Sequence, residues 1–385
     1  MTGSPGIAGL RIGLATTTVE PSLTQGHLDG IGVYSKALLE HLPATGCTVQ
    51  GFSFPSLRSR GAPLPFAVGR RMPHAFATLT MRDLLTPRMV RTRLPVDLYH
   101  ATDYRIVRMA CPVVATLHDA ITLKHPQWCS PRARSLKNFV LRNAAGKADH
   151  VIALSAFAVT ELTEYFGIDE QRISVVPCGV GERWLQRPAP EAIAATLQAF
   201  GLEAGYFLFV GTLQPRKNID RILDAYLRLP AAVRRERQCV IVGRPGWRCE
   251  TTIARLRAAA AGGERILWLN AVEDEARLQQ IYAGAGVFVF PSLHEGFGMP
   301  LTEAFASGVP VVCANTTSLP EVAQGAALEV DPLDVGAIAD AMLVLVRDTA
   351  LRQRCIAAGT RRVQVLTWTN TAQMTAAVYR KVLAG

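Results

Sequence analysis

What most constrains the fold of this chain is a recurrence. Short, nearly continuous apolar runs alternate with helix-like stretches, in two successive blocks. The first block holds RIGLATTTV (11 to 19), TVQGFSF (48 to 54), DLYHAT (97 to 102), VVATLHD (113 to 119), HVIALS (150 to 155) and ISVVPCG (173 to 179). The second holds YFLFVG (206 to 211), CVIVG (239 to 243), ILWLN (266 to 270), VFVFPS (287 to 292), VPVVCAN (309 to 315) and AALEV (326 to 330). Runs that do not alternate suit strands covered on both faces, the situation in a parallel sheet flanked by helices. Intervening segments such as GVYSKALLEHL, SAFAVTELTEYFG and IDRILDAYLRL supply those helices. The pattern predicts an α/β protein with two doubly wound Rossmann-like domains. The first is expected over residues 1–180 and the second over 201–365, with a linker at 181–200, where GERWLQRPAPEAIAA has two prolines and no strand signal. Ligands of such proteins bind at the carboxyl ends of the strands, so a site is expected in the cleft where the two sheets face each other.

The length of 385 residues suits two domains, and an apolar share of 49% with 19% charged residues is that of a globular chain. Apolar residues never run long enough for a membrane-spanning helix, and MTGSPGIAGLRIGL lacks the basic start and apolar stretch of a secretory leader. Eight scattered cysteines with no C-x-x-C pair point to free thiols rather than a disulfide framework or zinc site. A cytoplasmic protein is expected.

The net charge of +10 is carried by the first half: residues 1–150 hold 18 Lys and Arg against 8 Asp and Glu, whereas 151–385 hold 23 against 23. Much of the excess is arginine between Arg58 and Arg93, with Phe66, Phe76, Leu84, Leu85 and Met89 interspersed. Such a mixture suits an anionic surface, either phospholipid head groups or a phosphorylated acceptor. No nucleic-acid-reading motif accompanies it, so nucleic acid is not expected as a partner.

The residues just after the strands carry the chemistry. GTLQPRKN places Gly211 at a turn and Arg216 and Lys217 before a helix, an arrangement suited to phosphate. PSLHEGFGMPLTEAF puts Glu295 after a strand and sends the chain through two glycines into a helix starting near Pro300, with Glu303 on its first turn. In the first half, VVATLHDA places His118 and Asp119 at a strand end. HLDGIGVYSKALLEHL offers Gly30-Ile31-Gly32, but about ten residues separate these glycines from the strand and Ser35 stands where a dinucleotide fingerprint needs its third glycine. No D-x-D occurs at a strand end to hold a divalent metal, and Glu273-Asp274-Glu275 suits the start of a helix.

GTLQPRKN followed by PSLHEGFGMPLTEAFASGVPVV, with glutamates spaced E-x7-E, resembles the retaining glycosyltransferases of family 4, which carry the glycosyl transferases group 1 domain and have the GT-B fold. DGIGVYSKALLEHL, DLYHATD, VVATLHDA, VIALSAFAVTEL and the final TWTNTAQMTAAVYRKVL extend the resemblance over most of the chain. It implies two Rossmann-like domains facing across a cleft, with a C-terminal helix over 366–385 returning to the first.

The same resemblance implies catalytic roles for Glu295, His118, Lys217 and Arg216. Arg216 and Lys217 would hold the donor diphosphate, Glu295 the hydroxyls of the transferred sugar, and His118 would lie near the ring. Donor contacts would come also from Gly30, Gly211, the backbone around Gly298 and Met299, and main-chain groups near Val272 for the base. Glu303 would accept the ribose hydroxyls. Three positions depart from the family pattern: Asp29 precedes Gly30 where a glycine is common, Cys178 stands in PCGV where asparagine is usual, and Thr212 replaces an arginine found in some members.

The activity implied is retaining, metal-independent hexosyl transfer, with no cofactor beyond the nucleotide diphosphate sugar that serves as donor. GDP-mannose or a deoxyhexose donor such as rhamnose is expected. The acceptor would be a glycan or lipid-linked glycan in surface polysaccharide or lipopolysaccharide synthesis. The basic first domain would dock on the inner face of the cell membrane. A nucleotide-sugar epimerase on the same scaffold and a non-catalytic nucleotide-sugar-binding protein are the alternatives.

Overall fold

The computed structural model describes residues 9–55, 66–86, 91–129, 131, 134–270, 272 and 274–385. The chain divides into two compact units, one of Met1–Lys124, Pro131–Gly179 and Trp368–Gly385, the other of His125–Ser130 and Val180–Thr367.

Among the described residues, the first unit is built on a sheet of seven strands: β1 (Leu10–Ala15), β2 (Cys47–Ser53), β3 (Arg70–Arg71), β4 (Leu98–Ala101), β5 (Val113–Thr116), β6 (His150–Ala153) and β7 (Ile173–Val175). Their order is β3-β2-β1-β4-β5-β6-β7 and every pairing is parallel. Six of these strands coincide with the apolar runs of the first block. The exception is β3, two exposed arginines on the sheet edge whose register pairs Phe52 with Arg70 and Ser53 with Arg71. Two charged residues carry no hydrophobic period, so only their hydrogen bonding to β2 reveals this strand.

The second unit holds a sheet of six strands: β8 (Phe207–Val210), β9 (Cys239–Val242), β10 (Ile266–Leu269), β11 (Val287–Phe290), β12 (Val311–Ala314) and β13 (Leu328–Val330). Their order is β10-β9-β8-β11-β12-β13, again parallel throughout. All four residues of β8, β9, β11 and β12 are buried, as the continuous apolar runs require. Each large side chain so removed from water contributes about 2 kcal/mol. The helix Ile219–Arg228 covers one face of this sheet: Ile219, Ile222, Leu223, Ala225 and Tyr226 are buried, the spacing of a single helical stripe.

Residues 181–200, expected as a linker, belong to the second unit as packed structure. They contain the helices Glu182–Leu185 and Pro190–Phe200, and Pro190 occupies the first helical position, where its missing N–H costs nothing. Trp184 Nε1 donates to Glu275 (3.2 Å), and Gln279 Nε2 donates to the carbonyls of Arg183 and Gln186 (both 2.7 Å). Of the two prolines that suggested a linker, Pro190 is a helix start and Pro188 lies in the short connection between the two helices.

The C-terminal helix Trp368–Ala384 groups with the first unit. A buried polar chain holds it there. His100 shares a hydrogen bond with Tyr379 Oη at 2.6 Å through Nδ1 and with Thr116 Oγ1 at 2.8 Å through Nε2, and Tyr34 Oη lies 2.9 Å from the same Thr116 oxygen. Burial pushes His100 down to about 3, so it works as a neutral ring with one donor and one acceptor.

Candidate functional site

The second unit assembles the cationic pair and the first glutamate of the E-x7-E block. β8 ends at Val210, and Gly211 turns the chain with φ +153 where Gly243, after β9, comes so close that a Cβ on it would stand 1.9 Å from the Gly211 carbonyl oxygen. The chain then makes a short 3-10 turn, Pro215–Lys217, before Asn218 adopts a left-handed conformation (φ 61) and starts the helix Ile219–Arg228. Asn is one of the few residues that adopt that conformation, and the Asn218 Nδ2 donates to the carbonyls of Pro291 (2.9 Å) and Pro332 (2.6 Å). This tie brings the RKN turn against the loop after β11.

That loop carries Glu295, 6% exposed. Lys217 Nζ donates to its Oε1 at 2.6 Å and Arg216 Nη1 to its Oε2 at 2.9 Å, while Arg216 Nη1 also donates to the His294 carbonyl at 3.0 Å. Lys217 is 6% exposed and rests over the Phe290 ring at 4.8 Å. Burial alone would push the Glu295 carboxyl up, but Lys217 and Arg216 together overcome it and hold the group down at about 2. Glu295 is an anion at any physiological pH and acts as a hydrogen-bond acceptor, not as an acid.

Gly298 follows with φ +98, and a Cβ there would meet the Leu319 side chain at 2.7 Å. It caps the helix Met299–Ala306, with Met299 first and Pro300 second. Ser318 Oγ pins the loop from behind, donating to the carbonyls of Glu295 (2.9 Å) and Phe297 (3.1 Å). Half-buried Glu303 lies on this helix and accepts a hydrogen bond from Tyr282 Oη at 2.9 Å. Burial raises its carboxyl to about 7; the Tyr282 bond opposes that rise, Glu275 adds to it and Lys217 opposes it from a distance. The two glutamates of the motif are thus held in opposite states, one strongly ionised and one poised near neutrality. Val272 is half-buried in the loop between β10 and the helix Glu275–Gly284. Asp274 caps that helix by accepting from the Ala276 N–H at 2.8 Å; Glu273 lies outside the described residues.

In the first unit, His118 Nε2 lies 2.9 Å from the Thr102 carbonyl, which can only accept, so Nε2 carries the proton. Burial lowers this imidazole, and its ring meets Tyr34 edge to face at 5.4 Å. Asp119 is held by Tyr104 Oη, which donates to its carbonyl at 2.7 Å. Asp29 is the N-cap of the helix Gly30–His41, accepting from the Gly32 N–H at 2.8 Å. Gly30 is exposed as the first helical residue, and the tight position is Gly32, where a Cβ would stand 2.8 Å from the Thr18 carbonyl oxygen. Ser35 is buried and donates to Thr102 Oγ1 at 2.7 Å, a packing role in place of a fingerprint glycine. Arg58, Arg60 and Met89 lie outside the described residues.

Sequence reasoning missed Tyr282, Ser318 and the aromatic group around His294. Tyr282 and Ser318 reach the site from other elements, and no local spacing announces them. Asn218 was visible in RKN but only the structure shows what its amide joins.

The family model described as Glycosyltransferase Family 4 matches residues 28–182, and that described as Glycosyl transferases group 1 matches residues 198–362. The O-antigen chain mannosyltransferase B of Escherichia coli is 32% identical over 285 residues, 74% of this chain and 74% of that protein. The chain belongs to glycosyltransferase family 4. This family 4 glycosyltransferase is also 27% identical to the MMP alpha-(1->4)-mannosyltransferase of Mycolicibacterium hassiacum, over 93% of this chain and 96% of that one. It spans only 29% of the length of a serotype-specific mannosyltransferase of Escherichia coli to which it is 29% identical. Among solved structures, the sucrose-phosphate synthase of Thermosynechococcus elongatus superposes with a TM-score of 0.75 at 22% identity, covering 97% of this chain and 99% of that one. That likeness supports the fold expected for the glycosyltransferase, GT-B with two Rossmann-like domains.

Proposed function

We propose that this glycosyltransferase is a retaining, metal-independent mannosyltransferase, or a transferase of a related deoxyhexose. It would use a GDP-sugar donor and a glycan or lipid-linked glycan acceptor in surface polysaccharide synthesis. The observation that carries the reading is the cluster of Arg216 with buried Lys217 and Glu295 at the E-x7-E loop. The names of the relatives favour mannose among the hexoses.

The chemistry follows from the charges. In the transfer, the bond from the sugar C1 to the diphosphate oxygen breaks, a bond from C1 to the acceptor oxygen forms on the same face, and the hydroxyl proton passes to the departing phosphate. Charge develops on the diphosphate, and Arg216 and Lys217 are the groups that stabilise it, supplying the countercharge a divalent metal supplies elsewhere. Glu295, held ionised and oriented by the same two cations, accepts hydrogen bonds from the sugar hydroxyls. Glu303 accepts the two ribose hydroxyls when deprotonated, with Tyr282 fixing its orientation. The backbone near Gly298 and Met299, at the start of the helix Met299–Ala306, would approach sugar and phosphate. Gly211, Gly30 and the main chain at Val272 complete the donor contacts, and His118 serves the sugar side. The first unit, with its exposed Arg70 and Arg71, would dock peripherally on an anionic membrane surface.

The deciding experiment is a thermal-shift panel with GDP-mannose, GDP-deoxyhexoses, UDP- and dTDP-sugars, bare nucleotides and NAD. A ligand of the folded state raises Tm. Stabilisation by GDP-sugars supports the reading, and stabilisation by NAD alone overturns it. An epimerase would isomerise the donor without acceptor, which product analysis detects. Neither that alternative nor the non-catalytic one has a counterpart among the relatives named above.

A further inference from the structure

Within the first 179 residues, the short stretch His125–Ser130 groups with the second unit. Its sequence, HPQWCS, explains its shape. Pro126 opens a 3-10 turn, Pro126–Trp128, closed by a hydrogen bond from the Trp128 N–H to the His125 carbonyl at 3.0 Å. The turn folds the Trp128 ring back onto the His125 ring, with centroids 4.1 Å apart and planes 29° from parallel. The His125 ring also meets the His294 ring, with centroids 5.3 Å apart and planes 72° from parallel.

His294 is 1% exposed and immediately precedes Glu295. Its carbonyl accepts from Arg216 Nη1 at 3.0 Å, the same nitrogen that donates to Glu295 at 2.9 Å, and the neighbouring Leu293 N–H donates to the Arg216 carbonyl at 2.7 Å. The stacked pair therefore packs against the side chain of the residue whose carbonyl holds the Arg216 guanidinium and which immediately precedes Glu295. A side chain locked by packing from behind is what keeps a reacting group within a fraction of an ångström of its working geometry.

We propose that His125, backed by Trp128, is a positioning residue for Glu295 and Arg216, a buttress supplied by a strap that the chain sends from the first block into the second unit. The inference rests on the reading of Glu295 as the carboxylate that contacts the donor sugar. The proposed buttress works through ring packing; Gln127 Nε2 also lies 3.4 Å from His125 Nδ1, and the His125→Phe variant separates the ring's shape from its polar contacts.

The test uses the full chain with GDP-mannose as the probe, following GDP release without acceptor, and GDP binding by calorimetry as a check that each variant is folded. His125→Ala should lower kcat about 10- to 100-fold, the order expected for a small misplacement of a reacting group, with KM and the GDP Kd within about threefold of the parent. His125→Phe keeps the ring and should restore most of kcat. In a Glu295→Gln background, His125→Ala should add little to the loss, because both changes act through one carboxylate. Amide exchange in a peptide spanning residues 291–299 should accelerate in His125→Ala, whether or not GDP-mannose is turned over.

Unchanged exchange in that peptide overturns the proposal, as does a His125→Phe variant as impaired as His125→Ala. A full, independent loss in the Glu295→Gln background overturns it too. If exchange accelerates while Glu295→Gln retains parental turnover, the buttress stands and the role given to Glu295 fails.

Discussion

Lys217 and Glu295, 78 residues apart in sequence, form a buried ion pair of 2.6 Å, and Arg216 completes it from the other carboxylate oxygen. The cations proposed for the diphosphate are thus held by the carboxylate proposed for the sugar. The pair is pre-organised at the end of β8 and the loop after β11, elements that a parallel sheet sets side by side.

Removing Lys217 should be worse for stability than removing a surface charge. Lys217→Ala leaves Glu295 Oε1 without its Lys217 partner while Arg216 remains on Oε2, a loss of about 1–3 kcal/mol for a buried acceptor left unsatisfied. Glu295→Ala, by contrast, is expected to collapse turnover while leaving much of the nucleotide binding, since the cations remain. Chemical denaturation and GDP calorimetry on both variants check this; a Lys217→Ala protein as stable as the parent would contradict the burial argument.

Glu303 predicts a pH dependence of nucleotide binding. Its carboxyl is raised to about 7 and must be ionised to accept the ribose hydroxyls, so affinity should fall as pH drops below about 7, by up to about tenfold per pH unit. Glu303→Gln should bind more weakly at pH 8 and lose the dependence. The stability linkage has the opposite sense. A carboxyl raised in the folded state contributes most below its ordinary value of 4.5, and the contribution is lost as pH rises through about 7. Glu295, held at about 2, contributes above 4.5 and loses its contribution as pH falls towards 2. Calorimetric titration of GDP at several pH values distinguishes the two groups.

Tyr379→Phe should loosen the C-terminal helix. It removes the partner of His100 Nδ1 in a fully buried network, leaving that nitrogen without the 2.6 Å bond, at a cost of about 1–3 kcal/mol. Amide exchange should accelerate in the helix Trp368–Ala384 before it does in β8 or β11. Equal change in both would place the effect elsewhere.

Replacing Arg70 and Arg71 by serine should lower binding to vesicles rich in anionic lipid with little loss of stability. Both are exposed on the edge strand β3, and serine preserves the backbone pairing with β2. Extending the change to Arg58 and Arg60 should lower binding further, and high salt should mimic both. Vesicle flotation that does not change would remove the membrane role from this segment.

Much of the fold was legible because the cause is local: a strand covered on both faces is largely apolar, and twelve largely apolar runs stand in the sequence where β1, β2 and β4 to β13 form, with β4, β5, β6, β8, β9, β11 and β12 buried throughout. The helix that opens at Met299 and the turn at Gly211 were legible for a similar reason, since proline and glycine restrict the backbone wherever they stand. The family, too, is written in GTLQPRKN and the E-x7-E block. Other features depend on partners distant in sequence. β3 exists only as a neighbour of β2, and residues 181–200 became packed helices because Glu275 and Gln279 accept and supply their hydrogen bonds. The same holds for the charges. Glu295 and Glu303 are identical residues of one motif, yet two cations hold the first at about 2 while burial beside Tyr282 raises the second to about 7. Residue type sets where a carboxylate can be. Only the tertiary environment, by desolvation and by the charges it brings within reach, decides which state that carboxylate occupies.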